Sequence, residues 1–135
     1  MSVRISSWSR NAQAKAIAQL VMGGECLICS GQRPDDVNER TVADNIIASI
    51  VVLPGAVSVD ADTVTVGPIT ALAMRAGIAT WFKVATPEGN AILDGTIGRA
   101  GTGRKTVDMP MTRVDLLAGD SVTVERLTVQ APEEQ

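Results

Sequence analysis

The sequence predicts a mainly β domain, a β-sandwich or jelly-roll-like body carrying one N-terminal α-helix. Three observations lead there. From residue 25 onward, apolar residues alternate or cluster in short runs, and Gly, Pro, Asn or Asp interrupts them about every eight to twelve residues, the rhythm of short strands and their turns. Only residues 9–22 space their apolar side chains by three and four, as a helix does. Hydrophobic residues make up 45% of the chain but aromatics only 2%, so Val, Ile, Leu and Ala must fill an interior of thin, closely spaced layers. A length of 135 residues fits one domain with a core that requires no metal or disulfide.

In chain order, residues 1–8 mix Val3, Ile5 and Trp8 with Ser and Arg and read as a short strand or an arm lying on a neighbouring subunit. The helix follows over 9–22, with Ser9 as its N-cap and Gly23-Gly24 as its stop. Ala12, Ala16, Ile17, Leu20 and Val21 are its expected packed face, and Arg10, Lys15 and Gln19 its solvated side. Residues 25–30, ECLICS, form a short strand holding both cysteines in a C-x-x-C spacing. A redox pair of this kind belongs at a helix start, and a zinc site needs two further Cys or His ligands. In a strand, positions i and i+3 point to opposite faces, so Cys26 and Cys29 read as free, buried or half-buried thiols.

Residues 31–40 are a polar loop with turn chemistry at Pro34-Asp35-Asp36; it is a solvated surface, or it presents Arg33 and Arg40 to an acidic neighbour. Residues 45–53, NIIASIVVL, are apolar on both alternating faces and are expected to be the most buried strand, which implies a second layer. Two short arms, 56–59 and 63–66, flank Asp60-Ala61-Asp62, which reads as a turn because no further oxygen ligands of a calcium loop accompany it. Gly67-Pro68 breaks the run, and residues 69–75 are expected to be a helical turn or an irregular crossing.

Residues 77–98 organise the rest as a central hairpin, with arms at 78–85 and 91–97 around the turn Thr86-Pro87-Glu88-Gly89-Asn90. Each arm is expected to bury one face and leave the other partly wet. Residues 99–105 form a basic, Gly-rich tip bearing Arg99, Arg104 and Lys105, which lacks the spacing and the following helix of a phosphate loop and is suited to an acidic protein surface. Residues 106–117 continue as a strand with Val107, Met109 and Met111 in phase, and Pro110 marks an edge where a neighbour adds on. After a turn at Leu117-Ala118-Gly119-Asp120, the last strand, 121–129, slips phase between Glu125 and Leu127, as a bulge would make it do. From residue 130 the chain is a polar tail.

The composition also removes function classes. The chain has no His and no Tyr, so the side chains most used for proton transfer and imidazole ligation are missing, and no Ser/Lys, carboxylate-pair or Cys-based catalytic motif is displayed. A net charge of −3 and a pI near 4.8 give no electrostatic reason to expect nucleic acid or an anionic membrane. No apolar run reaches membrane-span length, and the first residues lack a leader pattern; the chain is expected to be made in the cytoplasm and soluble. No enzyme activity, cofactor or metal is expected.

The order of features resembles a known group. A helix ending in Gly, a short strand running into Gly31-Gln32-Arg33-Pro34, then G-x-A-x-W-F-[RK]-V over 77–84, D-G-x-[IV]-G over 94–98 and x-x-G-D-x-V-x-V over 117–124 resemble small virion proteins encoded by tailed bacteriophages and prophages. The resemblance covers most of the chain, and its motifs fix turns and core positions, with no role for the two cysteines. It implies a compact β domain located in the virion, a capsid decoration or cement protein that binds the major capsid protein or other virion proteins as a homo-oligomer. Attachment at the head-tail junction, tail or baseplate is the alternative within that group. The interface candidates read from the residues themselves are Val3, Ile5 and Trp8 of the arm, the helix, Arg99, Arg104 and Lys105 of the tip, and Met109, Pro110 and Met111 of the edge. The competing classes are a carbohydrate-binding module, for which only Trp8, Trp81 and Phe82 are available as aromatics, and a small enzyme using Cys26 or Cys29 as nucleophile.

Overall fold

Strands follow the breaks in the apolar pattern, and the computed structural model, which describes residues 6–39, 41–99 and 108–130, is mainly β with one helix ahead of the strands. The helix α1 spans Ser7–Val21. Ser6, not Ser9, is its N-cap: the Ser6 hydroxyl accepts from the Ser9 amide at 3.1 Å, the reach of a cap to the third helical residue. The earlier start draws Trp8 into the first helical turn. The face is also rotated from the expected one. Ala14, Ala18 and Val21 are buried with Ile17 beside them, whereas Ala12, Ala16 and Leu20 are exposed. Small side chains at 14 and 18 let the helix lie close against strands that follow, and Arg10 turns inward to pair with Asp62 at 3.7 Å.

The strands are β1 (Glu25–Cys29), β2 (Ile46–Val51), β3 (Val57–Asp60), β4 (Thr63–Val66), β5 (Ile69–Leu72) and β6 (Gly77–Ile78). They continue with β7 (Trp81–Ala85), β8 (Ala91–Arg99), β9 (Met109–Met111), β10 (Asp115–Leu116), β11 (Ser121–Val124) and β12 (Leu127–Gln130). The main sheet has the order β2-β1-β7-β8-β9, antiparallel except for the β8/β9 pair. Opposite it lie β12-β4-β3 and β11-β5, with β10-β6 as a short link. The Met74 amide donates to the Ile47 carbonyl at 2.7 Å, which sets the end of β5 beside β2, while β9 lies against β11 and β12. The sheet therefore curls back on itself, giving a β-sandwich-like domain. Its core holds Cys26, Ile28, Phe82 and Val84 from one layer and Val64, Ile69, Val122, Val124 and Leu127 from the other, and α1 covers β3 and β4.

Two bends make the curl. The strand pair β4-β5 passes through Gly67-Pro68, and β12-β11 passes it through Glu125-Arg126, with Val66 opposite Leu127 and Ile69 opposite Val124. The phase slip predicted between Glu125 and Leu127 is this corner. Gly67 has φ +132°, and a Cβ on it would lie 2.4 Å from the Glu125 carbonyl oxygen, so the two backbones cross too closely for any side chain.

Four expectations change. Residues 69–72 form a strand, not a helical turn, because β11 supplies their hydrogen-bond partners. The segment apolar on both faces, β2, sits at an edge of the main sheet with Val51 exposed; the strand buried at every position is β7. The first hairpin arm begins at Trp81, since Gly77 and Ile78 pair instead with β10. Of the predicted strand over 106–117, Thr106 and Val107 lie outside the described residues, and the rest divides into β9 and β10. The hairpin turn is as expected: the Gly89 amide donates to Thr86 at 2.9 Å with Gly89 at φ +90°.

Candidate functional site

The outer face of the main sheet carries the chain's polar centre. Residues directly opposite in an antiparallel pair share a face, so Leu27, Lys83 and Asp94 form one row across β1, β7 and β8, and Cys29, Trp81 and Thr96 the next. This face is not left wet, because residues 30–39 and 41–45 lie over it as a loop whose neck is closed by the Ser30 amide donating to the Asn45 carbonyl at 2.8 Å. Its struts come from the sheet. Trp81 Nε1 donates to the Ser30 carbonyl at 3.0 Å, Thr80 Oγ1 to Gly31 at 2.6 Å and Lys83 Nζ to Glu39 at 2.9 Å, while Arg33 pairs with Asp94 at 3.4 Å. Lys83 is the one buried charged residue among those described, at 8% exposure.

Beside the loop lies an open cleft of about 430 Å³, lined by Glu25, Leu27, Asn38, Thr41, Lys83 and the turn from Thr86 to Asn90. The Thr41 hydroxyl is buried there without a hydrogen-bond partner among the described residues. A second cleft, about 360 Å³, lies where Trp81 meets the first half of the loop. Both cysteines are buried and free, on opposite faces of β1. Burial pushes the Cys26 thiol from the usual 9.0 up to about 12, with Cys29 adding to the rise; burial raises Cys29 to about 12 as well, against a lowering pull from Lys83. A thiol held protonated in this way is a weak nucleophile at neutral pH.

A different surface lies at one end of the body. Ala73 is held to the following turn by its amide donating to Asp120 and its carbonyl accepting from Gly119, both at 2.8 Å, and Ile78 pairs with Asp115. These bonds bring together Leu72, Met74, Ile78 and Leu117, each between 58% and 65% exposed. Two ion pairs, Arg75–Asp44 at 3.2 Å and Arg113–Asp120 at 3.3 Å, rim the patch with both signs of charge. On α1, Trp8 (79% exposed), Ala12, Ala16 and Leu20 make a second exposed stripe at a spacing of four.

Of the residues singled out from sequence, Val3, Ile5, Arg40, Arg104 and Lys105 lie outside the described residues. Trp8 is on the helix and exposed, and Arg99 ends β8 and is exposed. Met109 and Met111 are corrected: they are 0% and 2% exposed and belong to the core, because β9 turns them inward, so only Pro110 of that trio faces out. Pro110 does stand on an edge strand. Arg33 is tied to Asp94 within the chain. Trp81 and Phe82 are 2% and 1% exposed, so neither offers a sugar platform. Asp62 binds Arg10, Thr63 and Gln130 as a turn residue, and among the described residues no acidic or Cys cluster is arranged to hold a metal. Sequence reasoning missed the Lys83 cleft, although one cation inside the apolar run WFKVA was its signal, and it missed the apolar end, whose members come from two distant stretches, 72–78 and the turn at Leu117.

Set against protein-family models, curated proteins and solved structures, the chain matches none of them.

Proposed function

We propose that this chain is a non-catalytic structural protein of a tailed-phage particle, a capsid decoration protein that assembles as a homo-oligomer on the head lattice. The observation that carries the reading is the apolar end, where Leu72, Met74, Ile78 and Leu117 are each more than half exposed inside a rim of mixed charge. Clustered exposed apolar side chains mark association surfaces, and a rim bearing both signs can complement a second copy about a twofold axis. In a lattice each copy touches several neighbours, so interfaces that are individually weak hold together through effective concentration. The resemblance in the turn and core motifs supplies the virion context, and the inert state of both thiols is in keeping with a non-catalytic role.

The test is to incubate purified protein with undecorated phage heads and sediment them, using light scattering to define the free species. A discrete oligomer that co-sediments with heads, and a Leu72→Asp/Leu117→Asp variant that does neither, are the expected results. A monomer that ignores heads but binds tails moves the protein to the tail or head-tail junction. A monomer that ignores both overturns the structural reading.

A further inference from the structure

We infer that the cleft over Lys83 is a binding site for a carboxylate group. Lys83 and Asp94 stand directly opposite each other in the β7/β8 pair, yet the Asp94 carboxylate is engaged by Arg33 at 3.4 Å. Among the described residues no carboxylate reaches Lys83 within ion-pair distance; its one bond is to the neutral Glu39 carbonyl at 2.9 Å. The anion opposite Lys83 is thus taken by another cation, and Lys83 is only 8% exposed. An ammonium has three donors and this one uses a single donor on the protein, while a buried charge is costly until it meets an opposite one.

A second, independent observation lies across the same cleft. The Thr41 hydroxyl oxygen is buried with no partner among the described residues, and buried polar atoms are seldom left so. Both residues line the cleft of about 430 Å³, Thr41 from the wall it shares with the second cleft, and the space is room enough for a small acid or the end of an acidic side chain. Glu25 lines it too, one row further along the sheet beside Ala85, where its carboxylate accepts from Ser49 Oγ at 3.0 Å. That negative charge repels an anion from its own end and leaves the Lys83–Thr41 end as the seat. It also selects a singly charged carboxylate over a phosphate dianion, since one free ammonium and neutral hydroxyl and amide groups offset one charge and not two. The same contacts serve a free carboxylic acid or a Glu or Asp side chain presented by another protein, and the inference does not depend on the structural role proposed above.

Titrating isotope-labelled protein separately with butyrate, with N-acetylated, C-amidated glutamate and with inorganic phosphate tests this, read from the backbone amides of Lys83, Thr86 and Asn90. Saturable shifts confined to those amides with butyrate or the blocked glutamate are expected, the tighter of the two naming the source. Lys83→Met should weaken binding at least tenfold and Thr41→Val several-fold, the latter with an unchanged spectrum elsewhere; if Lys83→Met does not fold, Thr41→Val decides. No saturable response to either carboxylate, equal affinity in the Thr41→Val protein, or tighter binding of phosphate would overturn the inference.

Discussion

At Gly95 the chain has no room for even a methyl group: a Cβ there would sit 2.7 Å from the Phe82 ring and 2.8 Å from Asp108 Oδ2. Phe82 is 1% exposed and part of the core, so the ring has nowhere to retreat. Gly95→Ala should therefore cost about 1–3 kcal/mol, the usual penalty of overpacking, measured as a lower urea midpoint. Gly55→Ala is the control, because nothing lies within 4 Å of its added carbon, and its midpoint should be nearly unchanged. The thiols give a second prediction at this scale. Cys26 and Cys29, raised to about 12 by burial, stay protonated in the fold while an unfolded thiol ionises near 9. Their contribution to stability is complete below pH 9 and is lost as pH rises from 9 to 12. The difference in unfolding free energy between wild type and a Cys26→Ala/Cys29→Ala variant should narrow or reverse in wild type's disfavour over that window, and iodoacetamide at pH 7.5 should label neither native thiol while labelling both in denaturant.

Among elements, α1 depends on its cap. Ser6→Ala removes the hydroxyl that accepts from the Ser9 amide and should cost about 1 kcal/mol, seen as a lower melting temperature with the β signal intact. The sequence placed a Ser at that helix start but chose Ser9, since several serines crowd the region and only the backbone decides which hydroxyl faces the open amides. It also read the helical face only in part: Ile17 and Val21 pack as the spacing predicts, but Ala12, Ala16 and Leu20 stay exposed because the surface of β3 and β4 accepts the helix through Ala14 and Ala18. Local features were the legible ones. The turn at 86–90, the hairpin at 60–63 and the slip at 125–127 each rest on neighbouring residues, whereas the edge position of β2 and the central position of β7 depend on pairings between distant segments. The outer-face cleft was hidden for the same reason, because Thr41 and Lys83 come to line one cleft only when Glu39 and its neighbours in the chain are held onto the sheet.

The whole molecule buries one continuous core shared by α1 and both layers, while Leu72, Met74, Ile78 and Leu117 remain outside it. A monomer that keeps four large apolar side chains more than half exposed at one end gains stability when a second copy covers them. Since such a partner binds the folded chain and not the unfolded one, the apparent stability must rise with protein concentration by mass action. The melting temperature should climb steadily across a hundredfold range of concentration in the proposed oligomer. In Leu72→Asp/Leu117→Asp it should be independent of concentration and should match the dilute wild-type value, because both substituted positions are exposed and contribute little to the monomer's own core. A wild-type melting temperature that is flat across that range would mean that the apolar end does not pair with its own kind, and would leave it as a surface for a different protein.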